Sequence, residues 1–413
     1  MTIAYEGGIR PYRLEFVRED LEGVTPANPD WNLYSDNVRT LEPVFAPSTE
    51  AQRGLGSADP IAHRTAVEEH QMTVAYDLQQ SLTTAGGDPL DALHDAMIRD
   101  DNNAVPNSHS IVRRMDQYEI EPSNTVEGEG GSAKDTRQYA VVRGAKANAT
   151  ITGDPSNPQP DLVELEYEAE KGRLFQIDQP ENETLTVHND GTEEVDVTLE
   201  SEDATKSETL TVAGGTSETT VDTDWDDLDA VELDHDIDGN VRVENGDAED
   251  IFIAYGSNAY DHDEGDLGVP ALGDGSHADP IGEDYAVFHA DSVERPDGTE
   301  LADNIATVTG TVNNNYDTPD RNEGGRRTIV ATERTSEISA TVFGETEHYQ
   351  MLLDALHADA TDLIWTFVAT GGEELGQLQW NDAQPIDVGA TEEAGQGVKQ
   401  VDVTLEGRGV TVL

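Results

Sequence analysis

The chain has 413 residues, of which 86 are acidic and 24 basic, so its formal net charge is −62. This length predicts two to four domains, each large enough to bury a core. Cysteine is absent, which excludes disulfides, cysteine-ligated zinc and thiol chemistry, and so acidic a surface disfavours binding to nucleic acid through its phosphates.

The first part of the chain alternates apolar and polar residues, as half-buried β-strands do. Strands are predicted at 36–45, 72–78, 109–120, 137–143 and 161–168. A short helix is predicted after 72–78, with Asp88 as its N-cap and Pro89 at its first position. Its apolar side would consist of Leu90, Leu93 and Met97.

The middle of the chain, residues 176–256, has a different pattern. Short strand candidates recur every 8–12 residues, separated by Gly, Asn and Asp, and no helical pattern interrupts them. This spacing is typical of a small antiparallel sandwich of immunoglobulin-like size. The segment holds 25 acidic residues and only two basic ones, Lys206 and Arg242, which predicts a solvated outer domain.

The last part of the chain returns to the first pattern. Strands are predicted at 305–312, 337–343 and 362–369, and the final fifteen residues predict one or two more. A helix is predicted between the second and third of these strands. Thr346 would be its N-cap, and Tyr349, Leu352, Leu353 and Leu356 would form its apolar stripe.

The tetrapeptide Asp-Ala-Leu-His occurs in both predicted helices, at 91–94 and at 354–357. Residue 38, in the first predicted strand, lies 34 residues before the second strand (72 − 38), and the corresponding spacing in the last part is 32 residues (337 − 305). This agreement predicts two related modules, 1–175 and 257–413, on either side of the domain at 176–256. Coincidence between two unrelated β-domains is the alternative.

Candidate catalytic or metal-binding residues are few. Asp234, Asp236 and Asp238 begin like a calcium-binding loop, but position twelve is Asn245 instead of the required Glu. A solvated acidic turn is the favoured interpretation, with the three carboxylates kept as a weak metal candidate. No nucleophile, zinc or phosphate-loop motif is found, so we expect neither an enzyme nor a cofactor.

Two glycine-rich loops occupy corresponding positions between the first two strands of each module, at 46–66 and 313–327. They carry Arg53, Arg321, Arg326 and Arg327 in a chain with only 24 basic residues. One interpretation is a pair of arms that bind the acidic surface of a neighbouring subunit, since Arg forms bidentate pairs with carboxylates. The alternative is a pair of mobile surface loops.

The acidic residues are spread along the whole chain, and most of the basic residues are Arg. At about 1 M salt the Debye length is about 3 Å, so most of the self-repulsion of such a surface is screened. This composition is typical of a protein from a salt-accumulating halophile. High charge with low hydropathy also occurs in disordered chains, but the strand patterns favour a folded one.

The order of strand, extended loop, strand, short helix and closing strands resembles the tail tube (major tail) proteins of tailed viruses. The sequences that carry the resemblance are DPLDALHDAM, HYQMLLDALH and the closing KQVDVTLEGRGVTVL. With the acidic composition, the chain resembles a tail tube protein of a tailed virus of halophilic archaea. Distal-tail and baseplate-ring proteins of the same fold remain alternatives.

The resemblance implies a mainly β fold (β plus short helices), with two tail-tube-like β-sandwich/barrel modules and an inserted immunoglobulin-like β-sandwich domain. It also implies a structural virion protein, assembled in the host cytoplasm, whose stacked trimeric, pseudo-hexameric rings form a tube. Other tail proteins would bind the tube, and viral DNA would pass through it without specific binding. The lumen-facing residues would be Thr73, Asp77, Thr307, Thr309, Thr311, Ser339, Thr341, Asp402 and Thr404.

A second function class is a secreted halophilic adhesin or carbohydrate-binding β-sandwich protein. The sequons at Asn148 and Asn182 would fit it. The first twenty residues lack the basic and apolar regions of a signal peptide, and no apolar run approaches the roughly 18 residues that span a membrane. We therefore expect neither secretion nor a membrane segment.

Overall fold

The computed structural model describes most of the predicted strands. The described residues are 13–19, 22–23, 32–35, 38–46, 49–52, 62–65, 69–79, 92–98, 107–116, 136–154, 160–178, 180, 182–201, 206–226, 228, 230–234, 239–246, 248, 250–254, 286, 291–294, 305–317, 329–343, 361–392 and 399–413. The fold is mainly β with antiparallel pairing, as predicted. The only helix among these residues has six residues.

The N-terminal module contains ten strands and this helix. They are β1 (Arg13–Arg18), β2 (Asn32–Leu33), β3 (Val38–Ala46), β4 (Thr49–Gln52), β5 (Ala62–Thr65), β6 (Glu69–Asp77), α1 (Ala92–Met97), β7 (His109–Asp116), β8 (Thr136–Gly153), β9 (Leu162–Ala169) and β10 (Lys171–Asp178). The predicted boundary after residue 175 falls inside β10, which pairs along its whole length with β8.

The strands of this module form two layers that share the long strand β8. In what we call the joining layer, β3 pairs with β6, β6 with β9, and β9 with the second half of β8. In the flanking layer, β1 pairs with β7, and the first half of β8 pairs with β7 and β10. The strand passes between layers at Gly144, whose φ of 63° is accessible to glycine without strain.

The middle domain contains seven strands in two separate sheets. They are β11 (Thr186–Asn189), β12 (Val195–Glu200), β13 (Ser207–Val212), β14 (Thr216–Thr219), β15 (Ala230–Leu233), β16 (Val241–Glu244) and β17 (Asp250–Ala254). The sheet orders are β14-β11-β16-β17 and β13-β12-β15, and one apolar cluster with Trp225 fully buried belongs to both sheets. A two-sheet β-sandwich is therefore present, which we call the middle sandwich.

The C-terminal module contains nine strands. They are β18 (Ser292–Glu294), β19 (Ile305–Asn313), β20 (Tyr316–Asp317), β21 (Val330–Ala331), β22 (Thr335–Phe343), β23 (Thr361–Val368), β24 (Glu374–Glu392), β25 (Lys399–Gly407) and β26 (Gly409–Val412). The predicted second helix at 346–356 lies outside the described residues. Its equivalence with α1 therefore remains a prediction.

The strands of the two modules pair in the same order, except that β2, which pairs with β1, has no counterpart among the described strands of the C-terminal module. The joining layer contains β19-β22-β25 and the second half of β24, and the flanking layer contains β18-β23, the first half of β24 and β26. The long strand again changes layer at a residue with positive φ, Asp382 at 48°. Register agrees too: Lys146 faces Glu168 and Gln384 faces Glu406, so both partners are 22 residues apart (168 − 146 and 406 − 384).

The middle sandwich packs against the N-terminal module. Val17, Val112 and Val141 point away from that module's own core and belong to the apolar cluster of the sandwich. In the C-terminal module, Ile364 and Gln379 occupy the positions of Val112 and Val141 in the same strand register. Val141 is thus apolar beneath the middle sandwich, whereas the equivalent residue of the C-terminal module is the polar Gln379.

Candidate assembly interface

The two modules are joined strand to strand. The second half of β8 pairs antiparallel with β19 through five residue pairs, from Val308 opposite Gly153 to Val312 opposite Ala149. The joining layers thereby become one continuous sheet of eight strands. The contact is thus made by β8 at the edge of one module and β19 at the edge of the other.

Asn314 anchors the end of this contact. Its side chain is fully buried, and its Nδ2 donates to the backbone oxygens of Ala96 (3.2 Å) and Ala147 (2.9 Å). Its backbone N–H donates to Oδ1 of Asn148 at 2.8 Å, and the hydroxyl of Tyr316 also donates to Ala147 O at 2.9 Å. A buried amide with these partners fixes the register of β19 against the N-terminal module.

The carbonyl of Ala96 is held in place by a charged network around its neighbour Asp95. The Asp95 carboxylate accepts hydrogen bonds from Arg18, from Asn107 at 3.1 Å and from His109 Nε2 at 2.8 Å. Burial alone would raise the pKa of Asp95, but hydrogen bonds from His109, His94 and Arg18 hold it well below its usual range. This ionised carboxylate ties α1 to β1 and β7, so Ala96 O has a fixed position.

Lys146 makes a second connection. Its side chain is 1% exposed, and Nζ donates to Glu22 Oε1 at 2.5 Å and to the backbone oxygen of Ile329 at 3.2 Å. Glu22 belongs to the N-terminal module and Ile329 to the C-terminal one. A buried ammonium requires such partners, so Lys146 fastens the two modules together.

Asp291 and Asp161 form a third connection, made of two buried carboxyl groups. Asp291 accepts from Trp365 Nε1 at 2.7 Å and from the backbone N–H of Val368 at 2.8 Å, and it also hydrogen-bonds to Asp161. Burial raises the pKa of Asp291 to about 6, because the charged form loses water. The start of β9 and the strands β18 and β23 meet at this pair of buried carboxyl groups.

Strand edges equivalent to those of β8 and β19 lie unpaired, among the described strands, at the two ends of the eight-stranded sheet. β3 corresponds to β19 and, in the described part of the chain, pairs only with β6. The second half of β24 corresponds to β8 and pairs only with β25 among the described strands. Among the described strands, β3 and the second half of β24 are therefore the two unpaired edges, one of each kind, at opposite ends of the eight-stranded sheet.

The joining layer has one apolar and one polar face. The apolar face packs into the core through residues such as Val74, Leu165, Val308 and Val403. Hydroxyl groups pair across strands on the polar face, as in the Ser339–Thr404 contact at 3.0 Å. The described exposed positions of this face include no lysine, and Arg39 is their one arginine.

Most of the residues predicted to face a lumen lie on this polar face. Thr73, Thr307, Thr309, Thr311, Ser339, Thr341 and Thr404 are half-buried and Asp402 is exposed. Asp77 differs, because its side chain is only 1% exposed and forms an ion pair of 2.5 Å with Arg39. Arg39 sits at a register shift between Val38 and Thr40, which sequence alternation could not reveal.

The other candidate residues are separate from this interface or lie outside the described part of the chain. Asp234 is exposed in the middle sandwich, where its Oδ1 accepts from the backbone N–H of Asp196 at 2.9 Å. Asp236, Asp238 and the predicted arm residues Arg53, Arg321, Arg326 and Arg327 lie outside the described residues. Within that part of the chain, no group of three potential metal ligands occurs.

Sequence reasoning missed the residues that hold the modules together. Asn314 is the central residue of the run Asn313–Asn315, and three consecutive amides between strand patterns could have marked it. Lys146 is one of only five lysines, but no spacing rule distinguishes a buried lysine from an exposed one. Asp161 and Asp291 are two carboxylates among 86 acidic residues.

Comparison with protein-family models and with curated protein sequences finds no match to this chain. None of the helices in the described residues is long and apolar enough to cross a membrane.

Proposed function

We propose that the chain is a structural subunit that forms closed rings, and that these rings stack into the hollow tail tube of a virus of halophilic archaea. The observation that carries the proposal is the pairing of β8 with β19 between two modules whose strands pair in the same order. A contact between two different edges is head-to-tail, and repeating it generates a ring when the rotation closes. The resemblance to tail tube proteins sets six modules, hence three chains, as the expected ring.

The ring contact follows from the register inside the chain. If β24 pairs with β3 of the next copy as β8 pairs with β19, Thr391 lies opposite Glu42, just as Thr152 lies opposite Thr309. One incoming residue, Pro43, has no N–H to contribute to the ladder. Only alternate residues of β3 bond toward this edge, so the ladder loses at most one hydrogen bond to Pro43.

The polar face supports the tube part of the proposal. In a closed ring, the joining layers of the subunits would form one continuous wall, since each contributes eight strands to it. We assign the Thr- and Ser-rich polar face to the lumen. Exposed carboxylates such as Glu166 and Asp402 lie on it, and a wall of this charge would repel phosphates instead of retaining DNA.

Engineered cysteines provide the test, since the native chain has none. In an antiparallel ladder, opposite Cα atoms are about 4.5–5.5 Å apart, which a disulfide spans. The pair Glu42→Cys/Thr391→Cys should cross-link separate chains into closed covalent trimers under oxidation in about 2 M KCl, where charge is screened. The pair Thr152→Cys/Thr309→Cys should cross-link within one chain and leave the mass unchanged.

A slipped pair is the matched control. Glu42→Cys/Gly389→Cys shifts one cysteine by two residues along β24, so it should cross-link poorly. Electron microscopy of the unmodified protein in the same buffer should show rings or tubes. Monomers in the micrographs, with no interchain cross-links, would disprove the ring and favour the secreted β-sandwich alternative.

A further inference from the structure

Ile386 is an exposed apolar residue on the free edge of the sheet. Its exposed fraction is 53%, and exposed large hydrophobic residues are rare among the described positions: the others are Val221, Val330 and Leu413. It lies in the second half of β24, the half that pairs with β25 alone. Isolated exposed apolar residues need no explanation, but the place of this one is specific.

A β-bulge displays this side chain. The register between β24 and β25 shifts between Pro385 and Asp387, so Ile386 is one residue more than its partner strand requires. The corresponding stretch of β8, Lys146 to Thr152, pairs with β9 without any shift. The bulge is therefore an addition in the C-terminal module, at a strand edge where bulges re-aim side chains.

In the N-terminal module, the corresponding place is where the incoming strand is anchored. Ala147 O and Asn148 Oδ1 there accept hydrogen bonds from Asn314, at the end of β19. In the next copy, the residue that corresponds to Asn314 follows Ala46 and is a proline. Proline has neither an amide side chain nor an N–H, so this polar anchor cannot be repeated between chains.

The incoming strand is instead apolar at this end. The last three residues of β3 are Val44, Phe45 and Ala46, in a chain of which 27% of residues are charged. By the internal register, Phe45 would lie opposite Val388 and Ala46 opposite Asp387, directly beside the bulge. An apolar contact also suits a halophilic subunit, because high salt screens ion pairs and does not screen burial of apolar surface.

We infer that Ile386 is the apolar contact residue by which one copy of this chain binds the β3 edge of the next copy. This inference rests on the proposed ring and distinguishes the chemistry of its two kinds of contact. The contact between modules of one chain is anchored by the polar Asn314, whereas the contact between chains is anchored by Ile386. The two contacts of the pseudo-symmetric ring can therefore be weakened separately.

The test compares two single substitutions that each add one negative charge at an exposed apolar position. Ile386→Asp should remain folded but raise the protein concentration at which rings form roughly tenfold or more. Val221→Asp, at 86% exposure in the middle sandwich, should form rings as the unmodified chain does. Ring formation would be measured by analytical ultracentrifugation in about 2 M KCl, and folding by circular dichroism.

A second variant covers the case in which Ile386→Asp fails to fold. Ile386→Ala removes most of the apolar side chain without adding charge, and it should weaken ring formation in the same direction. If either variant folds and forms rings at the same protein concentration as the unmodified chain, the inference is overturned, although the ring itself is then established. An equal weakening in Val221→Asp would overturn it as well, since added charge alone would then be the cause. If the unmodified chain forms no rings, the ring proposal and this inference both fail.

Discussion

Asp161 and Asp291 show how a single proton is coupled to the contact between modules. The pKa of Asp291 is raised from 3.8 to about 6 by burial, so the folded chain holds a proton there that the unfolded chain has already lost. Because the folded state binds more protons than the unfolded state between these values, stability falls as pH rises from about 4 through 6 and is then constant. A shift of about two pKa units corresponds to a loss on the order of 3 kcal/mol.

We therefore expect Asp161→Asn to stabilise the chain at pH 8. The amide introduced at position 161 would donate to the Asp291 carboxylate, which keeps its bonds from Trp365 and Val368. Thermal unfolding at pH 5 and pH 8 in constant high salt should show a smaller pH dependence than in the unmodified chain. Glu194→Gln removes an exposed carboxylate in the middle sandwich and is the control; an equal effect of both variants would refute a specific role of the pair.

Gly310 provides a second prediction at the scale of single residues. It lies in β19 opposite Ile151, and a Cβ placed on it would be 2.5 Å from the ring of the buried Trp380. Gly310→Ala should therefore destabilise the fold by about 1–3 kcal/mol through overpacking. Gly409→Ala, where a Cβ meets nothing within 4 Å, should change stability by less than about 0.5 kcal/mol. Urea unfolding of both variants measures the difference, and equal values would contradict the packing argument.

Individual side chains were the level at which sequence reasoning was least complete. Alternation placed Thr73 and Asp77 on one face of β6, but it could not show that Arg39 would cover Asp77. Ile386 carried no signal either, because a bulge changes which face a residue occupies and alternation has no rule for it. Residues fixed by tertiary contacts need the fold before they can be identified.

At the scale of elements, strands with clear alternation were predicted correctly. Three strands match their predictions within two residues: Ile305–Asn313, Thr335–Phe343 and Thr361–Val368. One face of each strand is buried and the other faces solvent, so apolar and polar residues alternate in the sequence. The 19-residue β24 was missed. It contains Asn381, Asp382, Pro385 and Gly389, which are typical turn residues, and the pairing of both of its halves overrides this local preference.

The middle sandwich is the element whose removal is most informative. Among the described strands, those of the middle sandwich pair with none of either module, so its deletion leaves the proposed ring edges intact. Deletion alone, however, would uncover Val17, Val112 and Val141, and an exposed apolar patch promotes aggregation.

We expect a deletion of residues 180–254, replaced by a Gly/Ser linker, to be poorly soluble while still able to form rings. Adding Val17→Thr, Val112→Thr and Val141→Gln, the last taken from the equivalent Gln379, should restore solubility. Sedimentation and electron microscopy in high salt would compare the two versions. A soluble, folded and substituted deletion variant that forms no rings would show that the middle sandwich bridges subunits.

At the scale of the whole molecule, two modules whose strands pair in the same order are joined by contacts that differ in chemistry. Asn314 and Lys146 make the contact within the chain polar and buried. In the sequence, a proline follows the last residue of β3 at the position where Asn314 follows β19. In the proposed ring of three chains, three contacts would be permanent because each lies within one continuous chain, and the three contacts between chains would depend on conditions.

Salt concentration should control the contacts between chains. Each chain carries a net charge of −62, and every ring contact brings such surfaces together. The Debye length grows from about 3 Å at 1 M to about 10 Å at 0.1 M, so repulsion between subunits increases as salt is diluted. Rings formed in high KCl should therefore dissociate on dialysis to 0.1 M, as light scattering or ultracentrifugation would show.

A neutral osmolyte separates this cause from a general loss of folding. Sucrose strengthens effective burial without adding ions, so at 0.1 M salt it should preserve the fold of the modules and fail to restore the rings. The chain cross-linked through Glu42→Cys/Thr391→Cys should remain a trimer at either salt concentration, because its contacts no longer depend on screening. Rings that are equally stable at both salt concentrations, or that sucrose restores, would mean that charge repulsion does not set the strength of the contact between chains.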